Sequence, residues 1–375
     1  MFDLIRSGYV YLFLFLFLWM LSFFSMRFMD KRQVFVVYIV CCFVLWFFCS
    51  FRFQTGFDWP AYESYYTDVD GGSLTLEPAF VLIMRFFNYC GLDYIYFQVF
   101  IATLFCTISF YVIYKLFGRY ALFGLSVFYS IPELYLLGSF STIRQGVAAA
   151  FFSLAMVYKN NLVLFVLVAI SISFHISGIM AFIFWLVVYF LGRDAPRILL
   201  CVFFVFFIIQ FDFSRTLLIY IMSFIGDNKF SEYLVLDNAK FRPVILLLYI
   251  FFMVAFFIFS DTHKMSGRFA SFYYVYFLSF LMFFGIQTIS SRISAMFVLF
   301  AITAMLCSVF EDKTKRGCFL LIVFMYSSFL FFRFMISPNT ITYMPYQSYF
   351  STENDQVDAI FRQSIVLDNL KESIK

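Results

Sequence analysis

The chain has 375 residues and is 64% hydrophobic and 13% charged, with a formal net charge of +4 and a mean hydropathy of +0.92. These values exclude an ordinary soluble domain and point to an all-α, polytopic integral membrane protein. The small positive charge is the remainder of a loop asymmetry described below and gives no ground for a nucleic-acid partner.

Apolar runs of ~17–23 residues suit a hydrocarbon core of ~30 Å at 1.5 Å rise per residue. Such runs predict helices near 8–26, 34–51, 94–114, 121–137, 144–158, 162–174, 176–191, 198–220, 243–260, 269–286, 293–309 and 318–336, about twelve spans. The first run, Gly8–Met26, has the length of a full span and no small-residue cleavage site after it. It therefore reads as a retained helix and not a signal peptide. The runs at 144–158, 162–174 and 176–191 are short and leave room for re-entrant or broken helices. The 63 phenylalanines suit lipid contact and packing, and the 26 tyrosines the water interface.

Alternate short loops are basic: Arg27, Lys31 and Arg32; Lys115 and Arg119; Lys159; Arg193 and Arg197; Lys264 and Arg268; Lys313, Lys315 and Arg316. By the positive-inside rule these loops are cytoplasmic, which places both termini outside. The outward face then holds the longer loops, 51–93, 226–242 and the tail 337–375. Within the first of them, Glu77–Gly91 predicts a short helix, with Pro78 at its first position and Gly91 at its stop. It is too short to span, so an interfacial or re-entrant position is expected, with Arg85 along its length. The domain reading is one polytopic unit over 1–350. A polar, partly amphipathic tail over 351–375 (Val357, Ile360, Phe361, Ile365) is expected to lie on the membrane surface or be loosely ordered.

The eight cysteines form no CxxC, and most lie in apolar runs, which predicts reduced, buried thiols and neither a disulfide framework nor a zinc site. His175 and His263 are too few for a histidine-rich metal centre. GxGxxG, P-loop, HExxH and GxSxG motifs are absent, and the missing P-loop argues against an ATP-driven pump.

Isolated polar residues at the outward ends of spans are what remains, and ionisable groups beside a span are functional candidates by default. In FRFQTGFDWPAYESYY, Asp58 and Tyr62 fall on one face of a helix that begins near Trp59–Pro60. Asp58 is a helix cap, a base, or a partner for Arg52. Arg144 and Gln145 open an apolar helix. An arginine at a helix N-terminus opposes the macrodipole, so it needs a phosphate or carboxylate partner, unless it only snorkels. Gly146 and the alanines after it allow close packing. His175, with Ser173 and Ser177 in reach, serves proton transfer, a bond to a sugar or phosphate, or a plain interhelical hydrogen bond. Arg292 opens another helix, and Arg333 accompanies Tyr343, Pro345 and Tyr346. Arg52, Arg144, Arg292 and Arg333 at one level would form a cationic cavity fitted to a lipid pyrophosphate.

The same residues carry a resemblance. R-x3-G-x-D-W-x2-Y (Arg52, Gly56, Asp58, Trp59, Tyr62), EP (Glu77, Pro78), IRQG (Ile143–Gly146), FHISG (Phe174–Gly178), SRIS (Ser291–Ser294) and MPY (Met344–Tyr346) follow one another in order. In this the chain resembles the EpsG family of bacterial polysaccharide-assembly proteins, a branch of the Wzy-type O-antigen and capsule polymerases. The resemblance implies transfer of a growing glycan from undecaprenyl pyrophosphate to the non-reducing end of a second lipid-linked repeat unit, at the periplasmic face of the inner membrane. It implies neither nucleotide sugar nor metal, so no cofactor. It also implies lipid-linked oligosaccharide substrates and, from the same pathway, a flippase and a chain-length regulator as partners. Asp58, Glu77 and His175 would be the catalytic candidates. Arg52, Arg144, Gln145, Arg292, Arg333, Tyr62 and Tyr346 would hold the substrate and its pyrophosphate. A flippase or exporter of lipid-linked sugars, an O-acetyltransferase and an O-antigen ligase are the competing readings. The absence of a two-fold internal repeat disfavours a transporter, and the acyltransferase lacks a histidine or arginine pair on the cytosolic side.

Overall fold

A computed structural model describes residues 8–69, 76–191, 267–282, 287–309, 312–350 and 358–374. The described residues are helical apart from turns and one isolated antiparallel bridge between Arg52 and Ser348, and no strand occurs among them. Five helical segments are long and apolar enough to cross a membrane: Tyr9–Phe28, Lys31–Ser50, Tyr94–Ser130, Ser290–Ser308 and Lys313–Ile336. The chain is thus an all-helical membrane protein. The predicted spans at 198–220 and 243–260 lie outside the described residues. Two compact units emerge: Met1–Ile179 with Ser327–Lys375, and Met180–Tyr326.

In the first unit, α1 (Tyr9–Phe28) and α2 (Lys31–Ser50) form a hairpin. Asp30 sets its corner through a capping box: the Gln33 N–H donates to Asp30 Oδ1 at 2.8 Å, and the Asp30 N–H donates to Gln33 Oε1 at 2.9 Å. The loop after α2 carries α3 (Trp59–Thr67) and α4 (Pro78–Tyr89). The second is the helix expected there, with Pro78 in its first turn and Gly91 in the left-handed region (φ 67°) just past its end.

α5 (Tyr94–Phe117) turns at Gly118 and doubles back as α6 (Ala121–Ser130), so that Phe128 lies 5.9 Å from Phe105 and 6.2 Å from Phe110. The span predicted over 121–137 is corrected here: α6 ends at Ser130. Ile131, the residue before Pro132, is extended, as the proline ring requires of its predecessor. The chain re-forms as a single π-helical turn, Leu137–Ser141, before α7 (Ile143–Val157), α8 (Asn161–Phe174) and α9 (Ser177–Phe190). These last three are shorter apolar helices, as the sequence suggested. Gly146 of α7 packs against the backbone of Gly138, where a Cβ would lie 2.0 Å from the carbonyl oxygen. Gly146→Ala should therefore separate α7 from the π turn, lowering Tm by several degrees in a detergent melt; an unchanged Tm would contradict that packing.

The tyrosines correct the interface expectation. Tyr11, Tyr38, Tyr129, Tyr135 and Tyr343 are fully buried. The Tyr11 hydroxyl donates to the Tyr343 carbonyl (2.7 Å), Tyr129 to Tyr11 (2.9 Å), Tyr38 to Phe110 (2.6 Å) and Tyr135 to Leu45 (2.5 Å). A buried phenol needs such a partner, and backbone carbonyls supply it for these four. Exposed Phe13, Leu16, Met20, Phe43 and Phe47 instead form an apolar surface suited to lipid on α1 and α2. Among the described cysteines, Cys41, Cys42, Cys49 and Cys106 are buried free thiols as expected, but Cys90, Cys307 and Cys318 are exposed.

The second unit contains most of α9 and α10 (Gly267–Met282), α11 (Gln287–Ser308) and the first part of α12 (Lys313–Ile336). Phe272 lies tilted against Phe300 at 4.7 Å and stacks with Trp185 at 6.1 Å, and Tyr276 and Tyr326 share a hydroxyl–hydroxyl bond of 2.6 Å. Back in the first unit, a 3-10 turn (Pro338–Thr342) follows α12. The tail, rather than being loosely ordered, forms α13 (Ala359–Ile374).

Candidate functional site

The loop leaving α2 is pinned on both sides. The Phe53 N–H donates to Gln347 O (2.9 Å), Gly56 N–H to Thr342 O (2.9 Å) and Tyr349 N–H to Phe51 O (3.0 Å), so the first loop and the late MPY segment share one ladder of backbone bonds. Phe57 N–H donates to Ser141 Oγ in the π turn (2.8 Å), and that hydroxyl also bonds the Tyr343 hydroxyl. Gly56 sits at φ 113°, with its Cα against the carbonyl of Phe140.

Arg52 is 2% exposed. Its Nη1 donates to the Cys49 carbonyl at 2.6 Å, and its guanidinium lies 5.2 Å from the Phe140 ring centroid. The arginine folds inward onto the end of its own helix. Gln98, on α5, joins this site. Its Nε2 donates to the carbonyls of Ser50 and Arg52 (2.9 and 2.7 Å), and its Oε1 accepts from Trp59 Nε1 (3.0 Å). An amide inside an apolar helix was the available signal, since it must be satisfied there.

Asp58 occupies the N-cap position of α3, but its side chain makes no capping bond. Capping alone does not explain it. One turn on, Tyr62 is buried; burial first, and the negative charge of Asp58 second, push its hydroxyl up to about 12, so it stays a neutral phenol.

Around Tyr62 the site assembles. Glu77 precedes α4 in extended conformation and makes no cap bond of its own. Its Oε2 accepts from Nη1 of Arg144, at the start of α7, and its Oε1 lies 3.9 Å from Nε2 of His175. The Arg144 Nε donates to the Tyr62 hydroxyl at 3.4 Å, and its guanidinium sits 5.9 Å from that ring's centroid. The carboxylate needed beside an arginine at a helix N-terminus is thus Glu77. Side chains of Arg144 and Glu77 remain 24% and 20% exposed, so solvent or substrate reaches the pair.

His175 lies between α8 and α9, where the chain is extended (φ −165°, ψ 138°). Its Nδ1 accepts the Ser177 N–H (3.1 Å) and meets Ser177 Oγ (2.8 Å). A backbone N–H can only donate, so Nδ1 is unprotonated and the neutral ring carries its proton on Nε2, facing Glu77. Ser173, the other expected partner, donates to Ile170 O instead.

Gln145 is buried beside Arg144, and its Oε1 has no hydrogen-bond partner among the described residues. Tyr346 packs at 4.3 Å on Phe48 and donates to the Phe48 carbonyl (2.8 Å). Arg333, in the last turn of α12, is close enough to Glu133 for its charge to be felt there, and Glu133 was not singled out from sequence. Arg292 lies near the start of α11 in the second unit and is half-buried. Among the described residues no cluster of His, Cys, Asp or Glu could hold a metal ion.

Comparison with known proteins agrees with the resemblance. No curated protein and no solved structure matches the chain. A model of the EpsG family matches residues 35–348, most of its length. The chain belongs to the EpsG family, whose members are Wzy-like polymerases.

Proposed function

We propose that this membrane protein elongates a polysaccharide by moving the growing glycan from undecaprenyl pyrophosphate onto the non-reducing sugar of another lipid-linked repeat unit. The reaction takes place on the periplasmic face of the inner membrane, in a chain of about twelve spans whose basic loops face the cytoplasm. The observation that carries this reading is the partly exposed Glu77 carboxylate, bonded to Arg144 with His175 Nε2 3.9 Å away.

In the resting site Glu77 neutralises Arg144. A pyrophosphate carries more charge and matches the planar guanidinium bidentately, so it competes for Arg144 and frees the carboxylate. The acceptor hydroxyl oxygen then attacks the anomeric carbon. The bond from that carbon to the phosphate oxygen breaks, the electron pair leaves with undecaprenyl pyrophosphate, and Glu77 takes the hydroxyl proton. Arg144 stabilises the charge growing on the leaving phosphate. The Nε2–H of His175 orients Glu77 or a sugar hydroxyl. Asp58 is the alternative base, acting beside Tyr62.

Purified protein given lipid-linked repeat units alone should produce a ladder of polymer, whereas unmodified single units would overturn the reading in favour of transport or ligation. Arg144→Ala, at normal protein level, should slow chain growth by roughly 10²–10³-fold; long chains at the normal rate would remove Arg144 from the pyrophosphate role. Arg292→Ala tests the same role for the arginine of the second unit. Asp58→Asn should weaken polymer formation while lipid-linked substrate still binds, and full activity would remove Asp58 as a base.

A further inference from the structure

We infer that Arg362, on a helix beyond the residues matched by the family, is a positioning residue that clamps together the two loops framing the site. The family match ends at residue 348, whereas α13 begins at Ala359. Arg362 is 2% exposed. Its Nη1 donates to the Pro345 carbonyl at 3.2 Å, and its Nη2 donates to the Gln54 carbonyl. Gln363 Nε2 adds a bond to the Phe57 carbonyl (3.1 Å), and the Ala359 N–H donates to Gln54 Oε1 (3.3 Å). One turn of α13 thus grips Gln54, Phe57 and Pro345.

Burying a guanidinium is costly, and the burial lowers the proton affinity of Arg362, which Tyr11 and Asp358 only partly oppose. An apolar residue would fill the space at less cost. What it could not do is bridge carbonyls of two separate loops with one rigid fork. Those carbonyls need an outside donor because Gln54 and Gly56 both sit at positive φ, 46° and 113°. The turn they form interrupts the backbone pairing to 342–349. The same turn delivers Asp58 to the head of α3, and Tyr62 a turn later meets Arg144. Arg362 acts on the chemistry through that loop. The inference rests on the polymerase reading for its kinetic consequence, but not for the clamp itself.

The test compares full-length protein with Arg362→Ala, Arg362→Lys and Arg362→Met, and with a chain ended after Phe350, at matched levels in detergent. Hydrogen exchange over 52–58 and 342–348 reports the clamp, and exchange within α2 and α5 reports the fold. Arg362→Ala and the shortened chain should exchange about 10-fold faster in the two loops, with α2 and α5 unchanged. The kcat for chain growth should fall about 10- to 100-fold, with KM for the repeat unit within about twofold. Arg362→Lys should recover part of both readouts and Arg362→Met neither. Unchanged exchange and rate would overturn the clamp, as would equal rescue by methionine or a uniform loss of protection through α2 and α5. Failure of wild-type protein to elongate repeat units would refute the polymerase reading while the exchange comparison still decides the clamp.

Discussion

Glu77→Gln should slow chain growth by roughly 10²–10⁴-fold, the range general acid–base catalysis commonly supplies. The substitution keeps the shape of the side chain, and its amide oxygen can still accept from Arg144. It cannot take a proton from an attacking hydroxyl. It also leaves Arg144, at the N-terminus of α7, without the charge that offsets its opposition to the helix dipole. Protein level and thermal melting must therefore be read beside activity. Polymer ladders from purified lipid-linked repeat units, at matched folded protein, give the answer. Glu77→Asp supplies the companion measurement: it retains the charge on a shorter arm and should retain more of the rate. If Glu77→Gln makes chains at the wild-type rate, the base lies elsewhere, and Asp58 is next to be tested.

The second large effect is expected from a glycine. Gly56→Ala asks an L-residue to hold φ 113°, and places its Cβ 2.2 Å from the Phe140 carbonyl oxygen. A conformation of that kind costs of order 1–3 kcal/mol by itself, and the oxygen is part of a backbone that cannot swing aside. Relief requires moving the loop away from the π turn. That would break the Gly56-to-Thr342 and Phe57-to-Ser141 bonds and carry Asp58 with it. Both yield and activity should collapse, with melting or limited proteolysis showing whether the loop or the whole unit is lost. A normally folded, active Gly56→Ala protein would mean that the loop does not adopt this path.

Much of the candidate site is legible in the sequence. The motif residues Arg52 to Tyr62, Glu77, Arg144, His175 and Tyr346 all belong to the first unit, and Arg144 does have the acid or anion partner that its place at a helix N-terminus demands. That the partner is Glu77 could not be read, because the two are joined through packing of helices far apart in sequence and no spacing rule links them. The surroundings of Arg52 are hidden for a related reason: its guanidinium donates to the Cys49 carbonyl and lies over the Phe140 ring, and no sequence rule points to either. The tyrosines were placed at the interface on average behaviour, yet a phenol is equally suited to a helix core wherever a carbonyl can be reached. Gln98 and Arg362 were passed over because each is a single polar residue whose role depends on backbone groups, which all sequences possess alike.

The π turn at Leu137–Ser141 carries a consequence for how this chain can vary. It places Phe140 against Arg52 and Gly56, and Ser141 against Phe57 and Tyr343. Removing one residue there would take Phe140 or Ser141 out of these contacts and shorten the link that carries Arg144 to Glu77, even though every motif letter survived. Between Pro132 and Arg144 the number of residues therefore matters as much as their identity. Homologues that conserve the chemistry should tolerate substitutions in this stretch far better than insertions or deletions.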